Sequence, residues 1–464
     1  MTGVRTEGVE AVRPMLGLPP VPPSDPETAA RARLDPPRPP RPLRGSTPRA
    51  RRRVPLLGRG GSAAAAERVL YGVLGVLAVL GLVSPGQFNV APADSLVEVA
   101  FLATAGLAAR RRGAPAWTIA VPAGGYLFLK TLLLLLYGSA SLPDFLLAYK
   151  SFVYLLLMAF FVGTALFDGH RLARVTTFLV AVFLAKYGYS VALGLADRPG
   201  VYMENNFELI MLLGLVYLAH PYLGALRHWV FAGLVVTVLL SGSRSAALGL
   251  VCVYVFLYVR ARSRTWPFHV AGVAVVGWAV LSLFSARAAQ DSGVQLDRLV
   301  FFQTFQYEVR TWPLWEFVTG SFPLTPLSPG SCGSLSFYSV LFSKTESGVC
   351  YSVILHSFLM RAVFDHGLIG LVLLYGLLWW GLRRSGVVVR DALALLLLIT
   401  LSALSVSAFN SVFAAIVLAV AMGLDRTRPP PDDPGPPAAP RRGRRASVGV
   451  VGGGGRERGL TEHD

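Results

Sequence analysis

Charged side chains are scarce in this chain of 464 residues: Asp, Glu, Lys and Arg together make up 15% of it. A soluble globular domain carries about 25%. Hydrophobic residues make up 53%, and the mean hydropathy is +0.54. Apolar stretches of roughly 20 residues, enough to cross about 30 Å of hydrocarbon, recur between Glu67 and Leu424. The composition therefore excludes an ordinary soluble domain and predicts an all-α polytopic membrane protein.

Two nucleotide-linked motifs are also missing. The sequence has no GxxxxGK[ST] phosphate-binding loop, which disfavours an ATP-driven pump. The paired aspartates that hold a metal in nucleotide-sugar transferases do not occur in the predicted outer loops. The "PDDP" at 431–434 lies in a tail instead. We therefore expect no cofactor and no metal, and we disfavour a nucleotide-sugar enzyme.

Much of the net charge of +17 lies outside the apolar region. Residues 1–60 hold twelve arginines against five acids, and residues 426–464 hold eight against five. Both segments are rich in Pro, Gly and Arg, and their apolar content is too low to fold alone. We expect disordered cytoplasmic tails at 1–62 and 426–464, lying next to anionic lipid, around a membrane domain at 63–425. Nucleic-acid binding is the alternative for the tails, and we do not favour it.

Hydropathy predicts about twelve spans, with both termini in the cytoplasm. The predicted inner loops are basic, as in "RRRG", "DGHRLAR" and "RARSRT". Three of the short outer loops contain no Lys or Arg, and two others contain one Arg each. The predicted spans are 67–84, 94–109, 115–136, 145–166, 174–194, 205–220, 228–242, 244–260, 266–284, 356–382, 391–406 and 408–424.

Arg244 interrupts an apolar run of about 30 residues from Val230 to Val259, in the stretch "LSGSRSAALGL". One long span here would place every later basic loop outside. Two short spans preserve the alternation and keep a charge away from the bilayer centre, where it costs a few kcal/mol. We therefore predict a turn at Arg244 on the extracytoplasmic side.

The longest predicted outer loop covers about 285–353. Its first part, "DRLVFFQTFQYEVRTWPLWEFV", has apolar residues at helical spacing and predicts an amphipathic helix at the mouth of the bundle. Cys332 and Cys350 both lie in this loop, on the oxidising side of the membrane, whereas Cys252 lies within a span. Compartment alone favours a Cys332–Cys350 disulfide over two free thiols.

The chain has only four lysines, and three of them fall in the outer halves of predicted spans: Lys130, Lys150 and Lys186. Cations at this depth usually face a bundle interior or an aqueous cavity. Snorkelling toward the interface is the structural alternative for each of them. Together with Arg198 and Arg244 they predict an outward-facing cationic cavity for an anion such as a lipid-linked pyrophosphate.

Three segments together resemble the O-antigen ligase and O-antigen polymerase family of membrane glycosyltransferases. They are "RPGVYMENNFELIMLLGLVYLA", "LSGSRSAALGL" and "LHSFLMRAVFDHGLIGLVLLYGLL". Their order, their predicted side of the membrane and the preceding long loop fit the family over roughly 67–424. The family usually has Asn after the His of the third segment, and Ser357 stands at that position.

The resemblance implies a fold like that of the lipid-dependent GT-C class and a metal-independent reaction outside the membrane. The substrates would be glycans carried on polyprenyl pyrophosphate. The matching positions are Arg198, Arg244 and His356, with Arg298 as the arginine of the long loop. A lipid-linked oligosaccharide and the membrane are the implied partners, with other membrane proteins of polysaccharide assembly as further candidates.

The residue types suit this chemistry independently of the family. Cleaving a sugar–pyrophosphate bond develops negative charge on phosphate oxygen, which the permanently charged fork of Arg stabilises. The attacking hydroxyl needs a base, and His356 is the histidine at the predicted outer mouth. Glu204 and Asn206 open a span on the same side and are expected to bind the glycan. Asp365 and His366 lie deeper in a span, where a structural or orienting role is favoured.

The sequence therefore predicts an enzyme of the bacterial cytoplasmic membrane that polymerises lipid-linked repeat units into a cell-surface polysaccharide. A ligase that moves the glycan to a lipid, protein or wall acceptor is the nearest alternative, because its donor and chemistry are the same. An anion or lipid-glycan transporter or flippase is the second alternative.

Overall fold

The computed structural model of the chain describes the apolar region and most of its connections. The described residues are 61–112, 114–137, 142–196, 198–259, 264–274, 277–278, 282 and 297–427. The predicted tails at 1–62 and 426–464 lie almost entirely outside these residues, and so does the start of the predicted loop at 285–353.

Helices make up most of the described chain. The first eight are α1 (Gly61–Val83), α2 (Ala93–Arg112), α3 (Trp117–Tyr137), α4 (Leu142–Met158), α5 (Gly169–Ala192), α6 (Asn205–Ala219), α7 (Arg227–Ser241) and α8 (Arg244–Tyr258). Six more follow: α9 (Asp297–Val309), α10 (Leu314–Thr319), α11 (Pro329–Ser334), α12 (Phe358–Arg384), α13 (Val389–Ala403) and α14 (Val412–Gly423). Residues 266–274 are also helical.

Strands contribute little to the described chain. Two-residue strands β1 (Phe167–Asp168) and β2 (Leu424–Asp425) pair in parallel, with Phe167 opposite Leu424. This pairing brings the start of α5 beside the end of α14.

Five described helical segments are long and apolar enough to cross a bilayer: Ala63–Val83, Trp117–Tyr137, Gly169–Ala192, Gly224–Ser241 and Phe358–Arg384. Two shorter apolar helices, Arg244–Tyr258 and Val412–Gly423, accompany them. The prediction of an all-α membrane protein is confirmed to this extent.

Contacts between helix termini define two ends of the packed helices in the described chain. At the first, Arg171 pairs with Glu67 at 2.7 Å and Arg426 donates to the Ser385 carbonyl at 3.1 Å. These contacts gather the starts of α1 and α5 and the ends of α12 and α14. We call this the basic end, because Arg174 near the start of α5 and Arg383 and Arg384 in the last turn of α12 also lie there. At the opposite end, the Asn205 side chain donates to the Ser241 carbonyl at 3.0 Å.

The predicted break beside Arg244 is present. Helix α7 ends at Ser241 and is followed by Gly242, whose φ of 62° lies in the left-handed region that favours glycine. Ser243 then caps α8 by accepting a hydrogen bond from the Ala246 N–H at 3.2 Å. The apolar run is therefore two helices, and Arg244 is the first residue of the second.

Helices α6 and α14 form the centre of the hydrophobic core. Every residue of α14 is buried, and so is every residue of α6 except Phe207. A helix that is apolar on nearly all sides can face protein or lipid, and the burial of these two shows that they face protein. The two helices touch where Gly214 faces Val417, and a Cβ built on Gly214 would lie 2.5 Å from that side chain. Glycine is therefore required for this close approach.

Helix α12 is broken at Gly367, which has φ 64° and ψ −173°. The loop after α10 packs into the break, because the Ser321 N–H donates to the Phe364 carbonyl at 2.7 Å. Gly320 and Gly367 meet so closely that a Cβ on either would overlap backbone atoms of the other segment. The long loop is thus attached to a helix of the apolar bundle.

The long loop is also cross-linked. Cys332 and Cys350 form a disulfide with Cα atoms 5.6 Å apart, as the sequence predicts, and Cys252 is a buried free thiol.

A helix is present over the first part of the predicted segment, as α9. Its apolar residues are not confined to one face, because Leu299, Phe302 and Tyr307 are exposed whereas Phe301 and Val309 are buried, so the predicted amphipathic character is wrong.

Thiol alkylation tests this arrangement. In the native protein in detergent, a maleimide reagent is expected to label no cysteine, because one thiol is buried and the others are oxidised. Denaturation alone should expose Cys252, and denaturation with reductant should expose all three. Mass spectrometry of the labelled protein counts the thiols, and three labels without reductant would contradict the disulfide.

Candidate functional site

The loop before α6 is held by one buried carboxylate. The Glu208 side chain accepts hydrogen bonds from the N–H groups of Val201 at 2.9 Å, Tyr202 at 2.7 Å and Met203 at 3.3 Å. The Tyr187 hydroxyl donates to it at 2.6 Å. Several donors of this kind offset the cost of burying a carboxylate. Glu208 therefore fixes the path of the loop between Arg198 and Glu204.

Two asparagines at the start of α6 hold the turn that carries Arg244. Asn206 Oδ1 accepts from the Ser243 hydroxyl at 2.7 Å and from the Ser245 hydroxyl at 3.3 Å. Asn206 Nδ2 donates to Glu204 at 2.6 Å. Because Ser243 and Ser245 flank Arg244, this network sets where the arginine leaves the helix terminus. It also gives Asn206 a structural role besides the predicted binding role.

His356 has a constrained backbone. Its φ is 53°, an uncommon value for a residue other than glycine, and such residues cluster at functional sites. Its carbonyl accepts from the Ser407 hydroxyl at 3.0 Å, and Ser407 accepts in turn from Arg361 Nη1 at 2.7 Å. The buried guanidinium of Arg361 thus helps to hold His356 in this conformation.

The long loop closes over the His356 ring. The ring centroid lies 5.2 Å from Phe301 of α9 and 4.7 Å from Tyr338, which meets it edge-on. Arg298, the predicted loop arginine, is in the first turn of α9, but its side chain lies outside the described residues. Its predicted contact with the donor therefore stays a prediction.

These elements enclose a cavity of about 410 Å³, which we call the arginine cavity. The structure brings five of the predicted site residues together in its wall: Arg198, Arg244, His356, Glu204 and Asn206. Arg198 is exposed and Arg244 is half-buried, and both line the cavity. Asn205, Gly242 and Ser243 line it beside them. The rest of the wall comes from the long loop and the α13–α14 connection: Leu299, Phe301, Phe302, Tyr338, Ser405 and Val406.

A second cavity, of about 360 Å³, shares Glu204 and His356 with the first. We call it the mixed-charge cavity, because its wall carries both acids and cations. Side chains that can hydrogen-bond and aromatic rings line it together: Asp94, Glu98, Lys150, Arg361, Ser407, Asn410, Phe207 and Phe413. The two cavities therefore meet at a wall that contains the candidate base.

Two of the three predicted lysines lie away from the arginine cavity. Lys130 Nζ donates to the Asp365 carbonyl at 3.1 Å, one of the acceptors that the break at Gly367 releases. Lys186 Nζ donates to the Ser84 carbonyl at 2.6 Å and the Gly86 carbonyl at 3.1 Å. Their placement corrects the prediction of one shared cationic cavity, because buried backbone acceptors already bind both amines.

Lys150 lines a cavity, unlike Lys130 and Lys186, but its amine is also bound to another side chain. Its amine pairs with Glu98, which also accepts from the Tyr154 hydroxyl at 2.9 Å. It lines the mixed-charge cavity and not the arginine cavity. Among the predicted pyrophosphate ligands with described side chains, the structure thus gathers the two arginines and separates the three lysines from them.

Sequence reasoning missed two residues of this region. Arg361 follows His356 by five positions inside a predicted span, and an arginine at that depth was a signal comparable to the lysines. Asn205 lines the arginine cavity, is 1% exposed, and has a side-chain oxygen with no hydrogen-bond partner within the described chain. An unsatisfied buried acceptor of this kind suits a ligand hydroxyl or an ordered water.

Asp365 and His366 are buried, line neither cavity and bond to protein groups. Asp365 accepts from the Ser352 hydroxyl at 2.5 Å, and His366 Nδ1 lies 2.9 Å from the Tyr126 hydroxyl. Across the described residues, no group of three or more His, Cys, Asp or Glu side chains is placed to hold a metal ion.

In comparisons with protein-family models, curated proteins and solved structures, the chain matches none. The resemblance to the O-antigen ligase family therefore rests on the three quoted segments.

Substitutions of Glu208 in α6 and of Glu204, which precedes α6, test which of the two carboxylates stabilises the fold. Glu208→Ala removes the acceptor of three backbone N–H groups and one hydroxyl. We expect it to lower the free energy of unfolding by about 3 kcal/mol or more. Glu204→Ala is the matched control, because its half-buried carboxylate accepts from one side chain and a change of under about 1 kcal/mol is expected. Thermal unfolding in detergent measures both, and equal shifts would contradict the assignment.

Proposed function

We propose that this chain is a polysaccharide polymerase that joins polyprenyl-pyrophosphate-linked repeat units at the outer face of the bacterial cytoplasmic membrane. The observation that carries the proposal is the arginine cavity, where Arg198 and Arg244 share a wall with His356. These three residues are far apart in the sequence, and each has a side chain that suits the proposed reaction. About twelve spans, a GT-C-like fold and cytoplasmic termini belong to the same proposal.

The arginine cavity suits the donor. The two arginines in its wall carry guanidinium groups that suit the oxygens of a pyrophosphate, and bidentate pairing makes such contacts strong. Glu204 and Asn205 in the same wall offer acceptors for sugar hydroxyls. The apolar side chains from α9 provide a surface for the sugar or for the start of the lipid.

The mixed-charge cavity suits the acceptor sugar. Carboxylate, amide and hydroxyl groups beside Phe207 and Phe413 can bind a polar ring with apolar faces. A hydroxyl presented from this side reaches the wall that contains His356. His356 takes the hydroxyl proton, the oxygen bonds to the anomeric carbon of the donor, and the sugar–phosphate bond breaks. The electron pair of that bond leaves with polyprenyl pyrophosphate, whose charge the arginines stabilise.

The same two cavities serve a ligase with a different acceptor, so that alternative shares the mechanism. Transport is disfavoured, because Lys130 and Lys186 are bound to backbone carbonyls instead of lining a path between the two ends of the helices. The chemistry of the acceptor decides between polymerase and ligase.

Arg244→Ala tests donor binding. In a host lacking the gene, the variant is expected to yield no polymer and to accumulate lipid-linked single repeats, because the leaving group loses a cation. Gel separation of extracted carrier-linked glycans measures this. Arg264→Ala, an exposed arginine outside both cavities, should restore normal chains. Normal chain length with Arg244→Ala would refute the proposal, and loss of final attachment with carrier-linked polymer retained would indicate a ligase.

His356→Asn tests the base. Asn tolerates the positive φ but cannot accept the proton at neutral pH. We expect purified variant to bind a labelled lipid-linked repeat as tightly as the wild type and to form product at least about 100-fold more slowly. Filter binding and product chromatography separate the two effects. Weakened donor binding with an unchanged turnover rate would assign His356 to binding instead.

A further inference from the structure

A third crevice lies at the basic end, remote from both cavities. It has a volume of about 450 Å³ and lies between the start of α5 and the α6–α7 connection. His170, Arg174 and Thr177 stand on one face of α5, at spacings of four and three residues. Tyr222, Leu223 and Leu226 line the other side. The crevice is therefore cationic on one wall and apolar on the other.

Two arginines of α5 differ in their hydrogen-bond and ion-pair partners. Arg171 pairs with Glu67 at 2.7 Å, whereas Arg174 is exposed and makes no hydrogen bond or ion pair with any described residue. The described lining of the crevice contains no Asp or Glu. Asp168 caps the first turn by accepting from the His170 and Arg171 N–H groups, both at 3.1 Å. An anion here would thus bind the Arg174 and His170 side chains and not the helix N-terminus.

Two exposed tryptophans indicate where the crevice lies relative to the headgroups of the membrane. Trp229, at the start of α7, is 78% exposed, and Trp117, at the start of α3, is 61% exposed. Both lie at the basic end, and exposed Trp is enriched at the headgroup level of bilayers. The crevice next to Trp229 therefore lies where phospholipid phosphates are found.

An apolar surface continues from the crevice toward the middle of the helices. Helices α5 and α7 pack directly there, since a Cβ on Gly233 would lie 3.0 Å from Val180. On either side of this contact, Phe178 and Val236 remain 42% and 44% exposed. A chain lying along this surface would have its polar end at Arg174, which matches a phospholipid better than a soluble anion.

We propose that this crevice binds the headgroup of an anionic phospholipid from the leaflet at the basic end. Arg174 and His170 bind the phosphate, Tyr222 contacts the glycerol region, and the acyl chains lie along the exposed surface of α5 and α7. The charge fits, because the cytoplasmic leaflet is anionic and basic pockets between helices select such lipids. The proposal does not depend on the enzymatic function.

Native mass spectrometry of the full chain in detergent tests this site with dioleoyl phosphatidylglycerol as the probe. We expect one tightly retained lipid, and about tenfold weaker retention for Arg174→Gln, because charge-assisted bonds to phosphate are lost. Arg174→Lys should recover part of the binding. Arg264→Gln, which removes an exposed arginine outside the crevice, is the matched control and should bind as the wild type.

Three results would overturn the proposal. The first is equal phosphatidylglycerol retention by wild type and Arg174→Gln. The second is equal retention of phosphatidylcholine, which would show that charge is not recognised. The third is displacement of the lipid by millimolar inorganic phosphate, which would assign the crevice to a soluble anion. Melting temperatures of the variants, expected to equal that of the wild type, show that each is folded.

Discussion

The geometry of the arginine cavity depends on the buried carboxylate of Glu208. It collects three consecutive backbone N–H groups and so bends the chain between Arg198 and α6. That bend sets the start of α6, where Asn206 reaches across to the serines around Arg244. Two arginines far apart in sequence are thereby positioned from one helix terminus. Glu208 does not itself line the cavity, so it acts on the cavity through the backbone segment that it holds.

Unpaired backbone groups are the second constraint. In a chain that lies in lipid, a helix break is tolerated where protein supplies hydrogen-bond partners to the released carbonyls. Lys130 and the Ser321 N–H do this for the break at Gly367, and Lys186 does it for the carbonyls that follow α1. The loop that closes over His356 is attached at the first of these breaks. Lys130 therefore supplies a hydrogen bond at the same helix break to which the loop over His356 is attached.

The sequence was sufficient to predict the break beside Arg244 and the grouping of Arg198, Arg244 and His356. The basic loops predicted that the apolar run is interrupted at Arg244, and residue chemistry predicted that the three side chains share one side of the bundle. It was insufficient for Lys130 and Lys186, because depth in a span does not reveal which carbonyls a flexible side chain reaches. Arg361 was missed for a related reason: its importance comes from the Ser407 bridge to His356, which no local pattern encodes.

The complete burial of α6 and α14 has a consequence for biosynthesis. The ribosome delivers α6 roughly half a chain earlier than α14, yet each of them is covered largely by protein in the finished bundle. Until α14 emerges, Gly214 and the rest of its α6 face lack their final partner, and the Glu208 end of α6 rests on an incomplete core. The site at that end can therefore form only after α14, the last of the described helices, has been synthesised. The order of translation thus limits when the cavities can form.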